Sequence, residues 1–247
     1  MQSIHINCDL GEGGKHDASL MPYISACNIA CGGHAGDENS MRRTIQLAQK
    51  YKVEIGMHPS YPDKENFGRK SLNISKANLE TSLLDQIKTF QKIAAEESSA
   101  INHLKFHGAL YNDLANDQNL AEHIIEMLKN SVENMRVFAP VNSRFSTLLS
   151  KDFEVFSEAF LDRNYNENFT LVSRQNEHAV LTENEAIFKH LFSMYKRQKI
   201  TIISGVEITA KPDTFCLHSD TKSAVEIIRF LHNKLQENSI EIFKNAG

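Results

Sequence analysis

The chain has 247 residues, 41% hydrophobic and 23% charged, the mix of a soluble globular protein with room for one large domain. Lys and Arg number 27 against 31 Asp and Glu, a net charge of −4, which argues against nucleic acid as the main partner. No run approaches the roughly 20 apolar residues that span a bilayer, and the start MQSIHINCDLGEGG lacks an export signal, so a cytoplasmic protein without a membrane partner is expected.

Short β-type runs alternate with longer helical patterns along the chain. The first run is Ile4 to Cys8, followed by the turn Gly11 to Gly14, and the second is Ser25 to Cys31. A helix from about Glu38 to Tyr51 follows, with Asp37 as its N-cap and Met41, Ile45 and Ala48 on one face. Val53 to Met57 reads as a strand. A long loop, HPSYPDKENFGRK, then leads to a helix capped by Ser75, with Leu79, Leu83, Ile87, Phe90 and Ala94 facing inward. His103 to Phe106 is the fourth strand, and Asp117 opens a helix that buries Leu120, Ile124, Met127 and Leu128. Arg136 to Ala139 and Glu154 to Ser157 are two more short strands. Thr182 and Glu185 have capping-box spacing ahead of Ile187, Leu191 and Met194. TIISGVEIT turns as a hairpin at Ser204-Gly205, Thr214 to Leu217 is the last strand, and Thr221 to about Glu237 the last helix. Strands leading into helices about seven times, with no linker or repeat, imply one domain over residues 1–247, either a (β/α) barrel or a doubly wound sheet.

In both architectures the loops after the strands converge on one rim. Asp9 and Glu12 follow the first strand, His34 and Asp37 the second, and His58 the third. Lys105 and His107 end the fourth. Glu158, Asp162 and Arg163 follow the sixth, and His218 and Asp220 the last. Each alone is explained by a loop carbonyl or a helix cap, and Asp37 and Asp220 sit where caps belong. Repeated at nearly every strand end, the pattern marks a functional rim. Cys8, Cys27, Cys31 and Cys216 lack metal-site spacing and read as buried small hydrophobes. GEGGKH misses the phosphate-loop pattern, and no G-x-S-x-G, H-E-x-x-H or G-x-G-x-x-G occurs.

NCDLGEG, NIACGGHAGD, IGMHPSYPD with NFGR, LKFHGALYN, EAFLDRNY and DTFCLHSD together, in order from about Asn7 to Asp220, resemble the LamB/YcsF family. That family includes the A subunit of an ATP-dependent 5-oxoprolinase. The resemblance implies an α/β fold, a seven-stranded (β/α) barrel akin to the glycoside hydrolase/deacetylase superfamily. It further implies opening of the 5-oxo-L-proline lactam by water, coupled to ATP hydrolysis, to give L-glutamate with partner subunits B and C. The positions carried over are Asp9, Glu12, His34, His58, Lys105, His107, Arg163, Arg174 and His218, while Ser219 and Ser223 stand where the family pattern has glycines.

On this footing Asp9 or Glu12 is the expected general base, and His34, His58 and His107 relay protons with an ordinary pKa of about 6.5. Lys105, Arg163, Arg174 and His218 are expected to bind substrate, with arginine suited to bidentate contact. Without a phosphate loop here, ATP is assigned to the partners, which would phosphorylate the lactam oxygen. Asp9, His34 and His58 are also ligand types for a divalent metal, although proton relay without an ion explains the same residues and is preferred. Two alternatives stand beside this reading. One is a free-standing metal-dependent deacetylase or amide hydrolase acting on a carbohydrate, and the other a non-catalytic subunit that holds 5-oxoproline. Homo-oligomerisation stays open.

Overall fold

A computed structural model describes residues 2–173, 176–221 and 223–245. The chain opens with β1 (Gln2–Ile4), steps away at His5, and enters the barrel as β2 (Ile6–Leu10). A short α1 (Asp17–Leu20) leads to β3 (Ala26–Ala30), α2 (Glu38–Tyr51) and β4 (Glu54–His58). The long α3 (Lys76–Glu96) precedes β5 (His103–Lys105), after which two helices follow in succession, α4 (Gly108–Asn116) and α5 (Gln118–Lys129). Then come β6 (Arg136–Pro140), α6 (Arg144–Leu149), β7 (Val155–Phe160) and α7 (Asn184–Phe192). The hairpin β8 (Lys199–Thr201) and β9 (Glu207–Thr209) precedes β10 (Thr214–Leu217), α8 (Ala224–Glu237) and β11 (Ile240–Ile242).

Seven parallel strands close on themselves in the order β10-β2-β3-β4-β5-β6-β7, so the architecture is the barrel and not the open sheet. Closure is made by β10, which pairs with β2 through Phe215 opposite Ile6 and with β7 through Phe215 opposite Ala159. Helices pack their apolar stripes on the outside: α2 buries Met41, Ile45 and Ala48, and α3 buries Leu79, Leu83, Ile87, Phe90 and Ala94. Asp37 accepts from the Ser40 amide while Ser40 returns a bond to the Asp37 amide, and Ser75 and Asp117 cap α3 and α5 in the expected way. All four cysteines are free and buried.

Several expectations need correction. The first barrel strand is Ile6–Leu10 and not Ile4–Cys8, because Gln2–Ile4 pairs in parallel with Ile240–Ile242 outside the barrel. His5 marks the step between them, its ring holding Thr214 Oγ1 at 2.8 Å and Glu54 Oε2 at 3.3 Å. Thr182 and Glu185 form no capping box; Glu183 stands at the N-cap of α7 without a side-chain bond. Asp220 does not cap α8 either. Ser223 occupies that position at φ 63°, the left-handed region that favours glycine, and Asp220 pairs instead with Arg69. Helices α4 and α6 replace what reads as loop, and β7 runs on to Phe160, so Glu158 lies within the strand and not beyond it.

The barrel interior is strongly polar. Asn7 donates to Glu158 Oε1 at 2.9 Å and to Thr214 Oγ1 at 2.8 Å, and Asn28 donates to Asn7 Oδ1 at 2.8 Å and Asp9 Oδ1 at 2.7 Å. His103, stacked on Phe138, gives its Nε2–H to Asn28 Oδ1 at 2.7 Å. Gly56 makes room for that ring, since a Cβ there would stand 2.1 Å from His103 Nε2. Gly56→Ala should therefore cost about 1–3 kcal/mol by overpacking, read as a lower denaturation midpoint, with Gly14→Ala as a control at an exposed turn where an added Cβ meets only Asp17 Oδ1 at 3.5 Å.

Candidate active site

The rim residues converge at the carboxyl end of the barrel. Asp9 comes from β2 and His58 from the last position of β4, while Lys105 ends β5 and points inward. The strand stops at Lys105, so His107 is not its strand neighbour but the N-terminal residue leading into α4. Two glycines set its place. Gly108, at φ 58°, would put a Cβ 2.5 Å from Gly68 O, and Gly68, at φ 63°, would put one 2.9 Å from His34 Cβ. With glycine at both positions Ala109 donates to Gly68 O at 2.9 Å, and the imidazoles of His34 and His107 lie parallel with centroids 3.6 Å apart.

Lys105 is the electrostatic centre. It is 2% exposed, and its Nζ donates to Asp9 Oδ1 at 3.0 Å, Glu158 Oε1 at 2.9 Å and Cys216 Sγ at 3.2 Å. Burial works to lower its pKa, but Asp9 and Glu158 outweigh it and hold the ammonium charged. Burial likewise works to raise Asp9, yet His58 and Lys105 keep that carboxyl well below its usual range. Glu158 also accepts from the Tyr111 hydroxyl at 2.7 Å.

Beside this pair lies a quartet of Glu12, His34, His58 and His107, whose donor atoms all fall within 4.8 Å of one another. Burial, with the Asp9 charge second, pushes the Glu12 carboxyl up to about 7. Burial also pushes His34 down to about 2 and His107 well below the usual imidazole range. Carbonyl contacts fix two tautomers. His58 gives its Nδ1–H to Lys105 O at 2.8 Å, and His107 gives its Nε2–H to Phe67 O at 2.9 Å. The remaining nitrogens, His58 Nε2 and His107 Nδ1, face each other at 3.0 Å. In neutral rings both carry lone pairs there, so the arrangement calls for a shared proton or a cation. His34 Nδ1 is buried with no hydrogen-bond partner. Three imidazoles and a carboxylate, two of the rings oriented by backbone carbonyls, fit a divalent transition metal such as zinc. The donor group takes Glu12 and His107 in place of Asp9, which stands 3.5 Å from His58 Nε2.

A cavity of about 490 Å³ opens over Asp9, His58, Lys105, His107 and His218. Glu12 and His34 do not line it. His218 is braced from below by Asp162 Oδ1 at 2.9 Å from its Nδ1 and stacks on Phe160. Arg163 lines the cavity but gives its Nη2 to Val172 O at 2.7 Å and its Nε to Ala179 O at 3.3 Å. Arg174 lies outside the described residues. Sequence reasoning missed Asn7, Asn28, His103, Tyr111 and Arg69. Two-residue spacing was the available signal, since Asn7 with Asp9, and His103 with Lys105, share the inward face of a strand.

The LamB/YcsF family profile matches residues 4–247. The chain belongs to the LamB/YcsF family. Among similar proteins of the family, one from Thermococcus sibiricus, named as the A subunit of 5-oxoprolinase, is 37% identical, covering 97% of this chain and 96% of its own. Another of the same name from Natranaerobius thermophilus is 35% identical over 253 residues, covering 100% of this chain and 98% of its own. The crystal structure of a lactam utilization protein from Thermus thermophilus superposes with a TM-score of 0.90 at 26% identity, over 98% of this chain and all of that one. No helix among the described residues is long and apolar enough to cross a membrane.

Two outcomes test the site's construction. Lys105→Met should destabilise by about 3–5 kcal/mol, because it strands two buried carboxylates, and Lys105→Met with Glu158→Gln should regain part of that in denaturant unfolding. Protein stripped with chelator and dialysed against zinc should hold one ion per chain by elemental analysis. Glu12→Gln and His107→Ala should each lower that occupancy.

Proposed function

We propose that this chain is the lactam-opening subunit of an ATP-dependent 5-oxoprolinase, converting 5-oxo-L-proline and water to L-glutamate. The observation that carries the reading is the cavity that sets Asp9, His58, His107, Lys105 and His218 around one space, in a chain similar end to end to proteins named as the A subunit of 5-oxoprolinase. The word subunit in those names supports an assembly with partners B and C. A phosphate loop is missing from the sequence, so the proposal leaves ATP to those partners, which would activate the lactam oxygen.

The roles follow from position. Asp9, held ionised by Lys105, takes a proton from the attacking water at the cavity wall. His58 Nε2, 3.5 Å from Asp9 Oδ2, and His107 Nδ1, 3.0 Å further on, carry that proton away. His218 faces the same space with its Nδ1 braced on Asp162, so its Nε2 delivers a proton to the departing lactam nitrogen. Lys105 keeps Asp9 in place and charged and is too buried to grip the substrate as well. Glu12, His34, His58 and His107 would alternatively hold a divalent ion in place of this relay, and the ion would supply the charge that polarises the lactam carbonyl.

The quartet favours a second reading, amide hydrolysis by this chain alone with metal and without ATP. One assay separates the two. Glutamate and phosphate release from 5-oxoproline and ATP should require this chain together with B and C, at one phosphate per glutamate. Turnover by the chain alone with metal would favour the second reading. In the full mixture Asp9→Asn and His218→Gln should each lower glutamate formation by roughly 10²–10³-fold, with the thermal midpoint measured beside it to show that the fold is retained.

A further inference from the structure

Three cationic side chains face the cavity among the described residues: Lys105, Arg163 and Arg69. A small acid needs a cation that it can reach and that has donors to spare. Lys105 is 2% exposed and shared between Asp9 and Glu158. Arg163 is 6% exposed, and its guanidinium already serves the carbonyls of Val172 and Ala179. Arg69 differs. Its side chain is 37% exposed, and its Nη2 meets Asp220 Oδ2 at 2.5 Å, a partner itself 39% exposed.

The loop beneath Arg69 is firmly placed. Phe67 O accepts from His107, Gly68 O accepts from Ala109, and the Arg69 amide donates to Asn66 O at 3.0 Å. The guanidinium lies 4.9 Å from the centre of the Phe67 ring, which packs nearly perpendicular to the rings of His34 and His107. The base of this side chain is therefore fixed beside the reacting groups while its head is open to solvent. Asp220 reaches it from the loop between β10 and α8.

We propose that Arg69 is the anchor for the substrate's carboxylate, and that Asp220 occupies the guanidinium until the substrate displaces it. The proposal rests on the lactam reading above. A guanidinium has five N–H donors and grips a carboxylate with two parallel bonds, so exchanging one carboxylate for another preserves its geometry. An exposed ion pair is weakly held, which makes the exchange inexpensive. A neutral lactam lacks the group needed to make the exchange.

The test uses the assembled enzyme with 5-oxoproline as substrate and 2-pyrrolidinone, the same ring without a carboxylate, as competitor. Arg69→Gln should raise KM for 5-oxoproline about 10–100-fold with kcat within about threefold, and Arg69→Lys should fall between because it loses the planar fork. Inhibition by 2-pyrrolidinone should be equal in wild type and Arg69→Gln. Asp220→Asn should leave KM unchanged or lower it. An unchanged KM in Arg69→Gln would overturn the anchor. So would an equal rise in Asp220→Asn, since the pair would then only shape the cavity mouth. A wild-type assembly that releases no glutamate overturns the lactam reading and the anchor with it, whereas a fault in the anchor alone leaves wild-type turnover intact.

Discussion

One buried ammonium organises this molecule. Lys105 sits at the end of a barrel strand between carboxylates from two others, Asp9 on β2 and Glu158 on β7. Burying one cation and two anions is costly unless every partner is present. The interior answers with a hydrogen-bonded column where a hydrocarbon plug is the usual filling. Asn7, Asn28, His103 and Thr214 run below the ammonium, and His5 ties the column to Glu54 and Arg136 beneath. The strands thus hold one another by their inward side chains as well as by their backbone ladders. The same arrangement delivers an ionised Asp9 to the cavity.

The histidines are set by a different means. Two carbonyls, of Lys105 and of Phe67, choose which nitrogen of His58 and of His107 carries hydrogen. Those carbonyls belong to a strand end and to a glycine-bearing loop, so the proton state of the site is written into backbone geometry. Gly68 and Gly108 matter for the same reason, since their close approach holds that loop against the start of α4.

The sequence made much of this legible because helix stripes and strand runs obey simple periods. The α2 boundaries, its Asp37 cap, the Ser75 and Asp117 caps and the β10 strand are all where the pattern puts them. The rim histidines are legible because they fall at or just after strand ends. What escaped depends on contacts across long separations. Nothing near Asp220 in the chain announces Arg69, 151 residues away, and so Asp220 looked like a cap. Ser223 obscured the start of α8, because a serine in a left-handed conformation gives no glycine signal. Glu158 looked like a residue beyond its strand because the end of β7 could not be placed without its neighbours. Arg163 and Arg69 are alike as cations in the sequence, and only exposure, a property of the folded chain, separates them.

The closing strand has a consequence for how the chain folds. β10 must insert between β2 and β7, and its pairing of Phe215 with Ile6 joins the last barrel strand to the first. Until that happens, Asn7 lacks Thr214 and Lys105 lacks Cys216, so the column is open to water. Contacts of such long range are formed slowly, because loop-closure entropy is spent before they repay it. A nascent chain therefore keeps its charged interior hydrated until the last barrel strand is available, and shedding that water is bound to the final closure of the wall.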